Sequence, residues 1–167
     1  MIPHPDNQPI SASCAVITVS DTRTPTSDRS GQIIQQLLQA EGHRISTYTI
    51  VKDEPQTIAD LLEYLEYQFN LEVIILSGGT GIAPRDTTYD VVSSWLTKII
   101  PGFGEIFRYL SYQEIGSRAI SSRAVAGVHK QILVFSLPGS SNAVQLALKQ
   151  LILPELNHLL RQVQGKK

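Results

Sequence analysis

Short apolar runs of strand length alternate along this chain with longer segments in which apolar residues recur every three or four positions. That is the pattern of a parallel sheet whose strands are joined by helices, an α/β fold. Cys14 to Ser20 (CAVITVS) is continuous and rich in β-branched residues, as a strand covered on both faces should be. A polar loop, Asp21 to Ser30, precedes a helix with Ile33, Ile34, Leu37 and Leu38 on one face, and Gly42 is placed to stop it. Arg44 to Val51 alternates with polar residues and reads as a strand near an edge. Asp53, Glu54 and Pro55 open a helix carrying Ile58, Leu61, Leu62, Leu65 and Phe69. Glu72 to Leu76 is a third strand, running into Ser77-Gly78-Gly79-Thr80-Gly81. A helix from Thr87 to Leu96, a break at Pro101-Gly102 and a helical stretch near Gly104 to Gln113 follow. Gln131 to Leu137 is a last strand, and the C-terminal helix bears Pro154 as a kink or restart.

Composition narrows the function. At 167 residues, with no internal repeat, the chain fits one domain, predicted over 13–164 behind a loose arm, 1–12, that contains Pro3, Pro5 and Pro9. The net charge of −1 offers no basic excess to neutralise a nucleic-acid backbone. The N-terminus lacks a signal peptide's basic and apolar regions, and no apolar run is long enough to span a bilayer. A cytoplasmic protein without nucleic-acid or membrane partners is expected. The single cysteine, Cys14, sits in an apolar run and reads as a buried structural thiol.

In an open parallel sheet, ligands bind beyond the carboxyl ends of the strands. Three loops leave strand ends here with unusual composition: Ser20-Asp21-Thr22-Arg23, Ser77 to Gly81, and Leu137-Pro138-Gly139-Ser140-Ser141-Asn142. The glycines of the second let the backbone turn sharply and present N–H groups, while Ser77 and Thr80 add hydroxyls, a plausible cradle for phosphate. It lacks the lysine of a P-loop, and a tight strand-to-helix turn uses glycine anyway. The third loop offers further donors, or simple serine capping. Asp86 and Asp53 each precede a helix. On the residues alone, capping is the simpler role for each, and holding Mg²⁺ beside a phosphate cradle is the other. Arg85, Arg118 and Arg123 can contact an anion or serve structure. The four histidines lack metal-ligand spacing and read as surface residues. Trp95 and the tyrosines read as core or subunit contacts.

These same residues resemble the MoaB/Mog family of molybdenum cofactor biosynthesis proteins. The matching pieces are VSDTRTPTSDRSG (Val19 to Gly31), ILSGGTG (Ile75 to Gly81), PRDTTYD (Pro84 to Asp90), PGFGEIFRYLSYQEIG (Pro101 to Gly116), SRAVAG (Ser122 to Gly127) and SLPGSSNA (Ser136 to Ala143). They run in order from about residue 13, and the later ones are closer to the MoaB branch. The resemblance implies a three-layer αβα sandwich with a mostly parallel sheet, assembled as trimers or hexamers. It implies molybdopterin binding, and adenylylation of molybdopterin by Mg²⁺-ATP to give adenylyl-molybdopterin and pyrophosphate. A non-catalytic molybdopterin-binding paralogue or carrier is the alternative. Asp53 and Asp86 match the two aspartates that matter for this activity, which moves both from capping toward catalysis and Mg²⁺ positioning. Ser77, Gly78, Gly79, Thr80 and Gly81 would line the pterin and phosphate pocket with Pro138, Gly139, Ser140, Ser141 and Asn142, and Ser20 and Asp21 its rim. Lys52 and Tyr89 stand where relatives often carry proline.

Overall fold

The computed structural model describes residues 10–165. A six-stranded sheet in the order β2-β1-β3-β6-β5-β4 is formed by β1 (Ser13–Val19), β2 (Arg44–Val51), β3 (Val73–Ser77), β4 (Lys98–Ile99), β5 (Val125–His129) and β6 (Ile132–Leu137). β2, β1, β3 and β6 are mutually parallel; β5 and β4 add antiparallel partners at one side. The helices are α1 (Arg29–Ala40), α2 (Pro55–Glu66), α3 (Thr88–Trp95), α4 (Pro101–Ile115), α5 (Ser141–Ala147) and α6 (Leu153–Val163).

Alternation along the strands builds two cores. Cys14 and Val16, Val73 and Ile75, and Leu133, Phe135 and Leu137 face a layer that contains Ile34 and Leu38 of α1, Phe103 and Phe107 of α4, and the buried residues of α5 and α6. Ala15, Ile17 and Val19, Ile74 and Leu76, and Ile132 and Val134 face Ile58, Leu62 and Leu65 of α2 and Val92 of α3. This is a three-layer αβα sandwich, and each fully buried Leu, Ile or Val stabilises it by roughly 1.5–3 kcal/mol. Both faces of β1 and β3 are buried, which explains their unbroken apolar runs. β2 is an edge strand and correspondingly mixed. Gly42, at φ 84°, ends α1: its N–H donates to the Gln39 carbonyl and that of His43 to the Leu38 carbonyl, both at 3.0 Å.

Several expectations are corrected. Residues 1–9 of the expected arm lie outside the described residues. Residues 10–12 belong to the domain: Ala12 is fully buried, donates its N–H to His43 Nδ1 at 3.2 Å and accepts from the Arg44 N–H at 2.8 Å. His43 is therefore a core residue rather than a surface one. Burial holds its pKa below the usual histidine value, against the opposing charges of Glu41 and Glu72. His129 is largely enclosed as well, stacked on Trp95 with ring centroids 3.8 Å apart and bonded to Glu66. Phe69 lies beyond the end of α2 and is exposed. The helical stretch expected from near Gly104 begins earlier, at Pro101, which opens α4 where its missing N–H costs nothing. Pro154 marks a restart, as expected: a π-helical turn, Leu148–Ile152, ends just before it, and α6 begins at Leu153 with Pro154 in its first turn. β4 and β5 were not anticipated. The β5–β6 hairpin turns through Lys130, at φ 53°, and Gln131, without the Asn-Gly or Asp-Gly pair that signals such a turn.

Candidate functional site

β2, β1, β3 and β6 are parallel, so the loops that leave them share one rim, and strand order reverses between β1 and β3. The glycine loop after β3 occupies the middle of that rim. Gly78 has φ 109°, and a Cβ there would stand 2.2 Å from the Val19 carbonyl oxygen, so the loop passes β1 at a distance only glycine permits. Its N–H donates to the Leu137 carbonyl at 2.9 Å, tying the loop to the end of β6.

Both candidate aspartates meet this loop. A Cβ on Gly79 would stand 2.5 Å from Asp53 Oδ2, and one on Gly81 would stand 2.5 Å from Asp86 Oδ2. Neither aspartate caps the helix that follows it. Glu54 is the N-cap of α2 and makes no side-chain capping bond. Asp53 Oδ1 instead accepts from the N–H and hydroxyl of Thr87, at 3.2 and 2.9 Å, at the start of α3. Asp86 Oδ2 accepts the Ala83 N–H at 2.9 Å and closes its own turn. Each carboxylate thus rests against a different glycine of one loop.

The neighbouring loops are laced to these residues. Asp21 pairs with Arg85 and accepts the Asp53 N–H at 3.2 Å, joining three loops. Ser20 accepts the N–H groups of Thr22 and Arg23, a turn-forming role. Arg123 engages the protein rather than an open anion site, donating to the carbonyls of Gly81 and Asp86 and to the Asp90 carboxylate.

Beside the glycine loop lies a cavity of about 360 Å³. Gly78, Gly79, Thr80, Gly81 and Asp86 line it with Pro138, Gly139 and Ser140. Phe107, Ser111 and Ile115 of α4, Arg118, Ala119 and Ser121 of the 3₁₀ turn after it, Ser122 and Ala143 complete the lining. Ser20, Asp21 and Asp53 lie in adjoining loops outside this lining. Ser77 is buried, its Oγ 3.5 Å from Thr18 Oγ1, so its hydroxyl faces the fold and not the cavity. Ser140 caps α5 through the Ala143 N–H. Ser141 turns toward Ser30, and Asn142 lines a separate recess with Glu114 and Lys149.

Sequence reasoning passed over the groups that hold this rim in place. Asp28 is fully buried and accepts from Thr18 Oγ1 (2.6 Å), Tyr48 Oη (2.7 Å) and the Gly31 N–H (3.0 Å). Burial and the bond to Asp28 push the Tyr48 hydroxyl up to about 12. Ser30 donates to the Gly139 carbonyl at 2.8 Å. A capping aspartate just before the first helical residues was the available signal. Cys14 is fully buried, and burial raises its thiol to about 12, an inert structural group.

Among the described residues no three His, Cys, Asp or Glu side chains gather closely enough to hold a metal by themselves. Two carboxylates at one loop suit Mg²⁺, which takes one or two from the protein and completes its shell with water and phosphate oxygens. Thr88 Oγ1 is buried without a partner, and a Cβ on Gly79 would stand 2.2 Å from it, beside Asp53 Oδ2. Asp53 Oδ2 and Thr88 Oγ1 are thus neighbouring oxygen donors of the kind that ion takes.

A mostly parallel αβα sandwich of this kind places its ligand site at the strand-order reversal, and here that rim carries the glycine loop and both aspartates. Comparison with known proteins narrows it. The family described as "Probable molybdopterin binding domain" matches residues 15–158. A molybdenum cofactor biosynthesis protein B from Halalkalibacterium halodurans is 49% identical over 96% of this chain and 95% of its own length. One from Staphylococcus aureus is 54% identical over 89% of this chain and 90% of its own. A crystal structure of a molybdenum cofactor biosynthesis protein B superposes with a TM-score of 0.92 at 44% identity, covering 95% of this chain and 99% of that one. The chain belongs to the MoaB/Mog family of molybdenum cofactor biosynthesis proteins, on its MoaB side. Among the described residues no helix is long and apolar enough to cross a membrane.

Proposed function

We propose that this protein binds molybdopterin at the cavity beside the glycine loop and transfers the adenylyl group of ATP to its terminal phosphate, releasing pyrophosphate. The observation that carries the reading is the meeting of Asp53 and Asp86 with successive glycines of one loop, whose glycines line, together with Asp86, a cavity that also offers apolar surface. Phe107, Ile115 and Ala119 supply that apolar lining for a flat pterin. Thr80, Ser121, Ser122, Ser140 and the Arg118 guanidinium supply donors for its polar edge and phosphate.

In the reaction an oxygen of the molybdopterin phosphate bonds to the α-phosphorus of ATP, and the bond from that phosphorus to the bridging β oxygen breaks. The nucleophile is already ionised, so no general base is needed, and the absence of a histidine from the cavity lining is accounted for. Two polyanions must approach, so the protein's work is positioning and charge neutralisation. Arg118 and the hydroxyls and N–H groups that face the cavity, the Gly78 N–H excepted because it is bonded to Leu137, lower the repulsion. Asp53, Asp86 and Thr88 would hold Mg²⁺, which when bound neutralises phosphate oxygens and the charge on departing pyrophosphate. Asp21 and Thr87 tie the Asp53 loop to the loop after β1 and to the start of α3 through the bonds described above.

The test is incubation of the purified protein with molybdopterin and Mg²⁺-ATP, with adenylyl-pterin and pyrophosphate quantified for wild type, Asp53→Asn and Asp86→Asn. Product from wild type alone, with molybdopterin bound by all three, is the expected result. Tight molybdopterin binding without product from wild type would make the protein a carrier.

A further inference from the structure

Residues 82–85 form an exposed excursion between the glycine loop and α3, and Asp86 is positioned at its end. One side chain closes that excursion. Arg123, just before β5, donates from Nε to the Gly81 carbonyl at 2.8 Å and from Nη2 to the Asp86 carbonyl at 2.7 Å. Its Nη1 donates to both carboxylate oxygens of Asp90, at 2.9 and 3.0 Å, in the first turn of α3. Its backbone N–H donates to the Thr80 carbonyl at 3.2 Å, and its guanidinium lies 4.8 Å from the centre of the Tyr89 ring. One residue therefore holds the two ends of the excursion, the glycine loop before it and the helix after it.

We propose that Arg123 is the positioning residue that sets Asp86 against the glycine loop, with Asp90 as the anchor that orients it. This assignment of a role in turnover rests on the adenylyl-transfer reading above. The guanidinium spans three acceptor groups, two carbonyls and a carboxylate, in fixed relative positions, which a planar fork with several N–H groups can do and an ammonium point charge cannot. Arg123 belongs to neither apolar core, and its partner Asp90 is exposed, so its loss leaves the packing of the sheet intact. What changes is the freedom of residues 81–86. The turn inside the excursion, Asp86 N–H to the Ala83 carbonyl and Ala83 N–H to Asp86 Oδ2, is short and exposed; Arg85 tethers it to Asp21 and the Thr88 N–H reaches the Gly79 carbonyl, and Arg123 adds the bonds that fix the Gly81 and Asp86 carbonyls on either side of it.

The experiment compares wild type with Arg123→Lys, Arg123→Gln and Asp90→Asn by residue-resolved amide exchange and by steady-state turnover with molybdopterin and Mg²⁺-ATP. Exchange at the Ala83, Asp86 and Thr88 amides is expected to rise about tenfold or more in both Arg123 variants, and less in Asp90→Asn, while amides of β1 and β3 and the melting temperature stay near wild type. Lysine should not rescue. Displacing Asp86 by about 1 Å lowers kcat roughly a hundredfold, with KM for molybdopterin little changed. Unchanged exchange at those three amides, or a rise spread evenly over the sheet, would overturn the positioning role, as would full kcat in Arg123→Lys. A wild-type protein that yields no adenylyl product would sink the transfer reading alone; the exchange pattern would still decide whether Arg123 sets the loop.

Discussion

Replacing Gly79 by alanine separates the stability of the rim from the placement of Asp53. Gly79 sits at φ 63°, where an L-residue costs roughly 1–2 kcal/mol, so Gly79→Ala should melt about 2–8 °C below wild type. The larger consequence is local. The new Cβ would stand 2.5 Å from Asp53 Oδ2 and 2.2 Å from Thr88 Oγ1, where ordinary contact begins near 3.4 Å. The Asp53 carboxylate can rotate, whereas Thr88 is β-branched and fully buried and the loop is fixed by Gly78 against Val19, so Asp53 is the group that yields. Asp53 retreats by about 1 Å, loosening its bonds to Thr87, and a displacement of that size in a positioned group costs roughly a hundredfold in turnover. The assay pairs calorimetric melting with adenylyl-pterin formation. Gly102→Ala is the control, because a Cβ there meets nothing within 4 Å and should leave both readings near wild type. A folded Gly79→Ala protein with wild-type turnover would refute the reasoning, since Asp53 could not then matter where the geometry puts it.

Other expectations follow from the same rim. Gly78→Ala meets the immovable carbonyl of Val19 at 2.2 Å, besides its φ of 109°, and should be far more damaging to stability than Gly79→Ala; comparable melting temperatures would contradict this. Asp28→Asn turns an amide donor toward Thr18 or Tyr48, or toward the Gly31 N–H, and should cost about 1–3 kcal/mol in urea unfolding; a neutral result would mean that the buried carboxylate is not the acceptor described. His43 accepts from Ala12 as a neutral ring, and its pKa is lowered in the fold, so the unfolded chain takes up its proton first as pH falls. Its contribution is fully present above the ordinary histidine value near 6.5 and is lost as pH drops through the lower folded value. Wild type should therefore lose more melting temperature between neutral and mildly acidic pH than His43→Asn, whose amide oxygen can accept the same N–H; parallel profiles would exclude His43 as the cause.

Much of the fold was legible because its signals are local. The apolar runs of β1, β3 and β6 and the spacing of Ile34, Leu38, Ile58, Leu62 and Leu65 report burial directly, as does Gly42 at the end of α1. β5 escaped notice because Ala126 and Gly127 dilute its apolar pattern and Lys130 supplies an unusual left-handed turn residue. For the site, the glycine loop and the LPGS segment announced themselves through composition, and they do line one cavity together. What could not be read was which partner each polar group takes. Asp53 serves α3 rather than α2, Ser77 faces Thr18, and Asn142 opens onto another recess, because these choices depend on contacts between residues far apart in sequence. Asp28 was hidden for the same reason: its capping bond is local, but its bonds to Thr18 and Tyr48 depend on how α1 docks on β1 and β2.

In the proposed reaction the loop carrying Asp53 and the turn carrying Asp86 serve an attack on the α-phosphorus of ATP. The most direct measurement follows a radiolabel placed on that phosphorus, in wild type and in Asp53→Asn and Asp86→Asn proteins supplied with molybdopterin and Mg²⁺. Label is expected to pass to the pterin fraction in wild type, in step with pyrophosphate release, and not in either variant. Label confined to ATP in the wild-type reaction, while molybdopterin is bound, would contradict it.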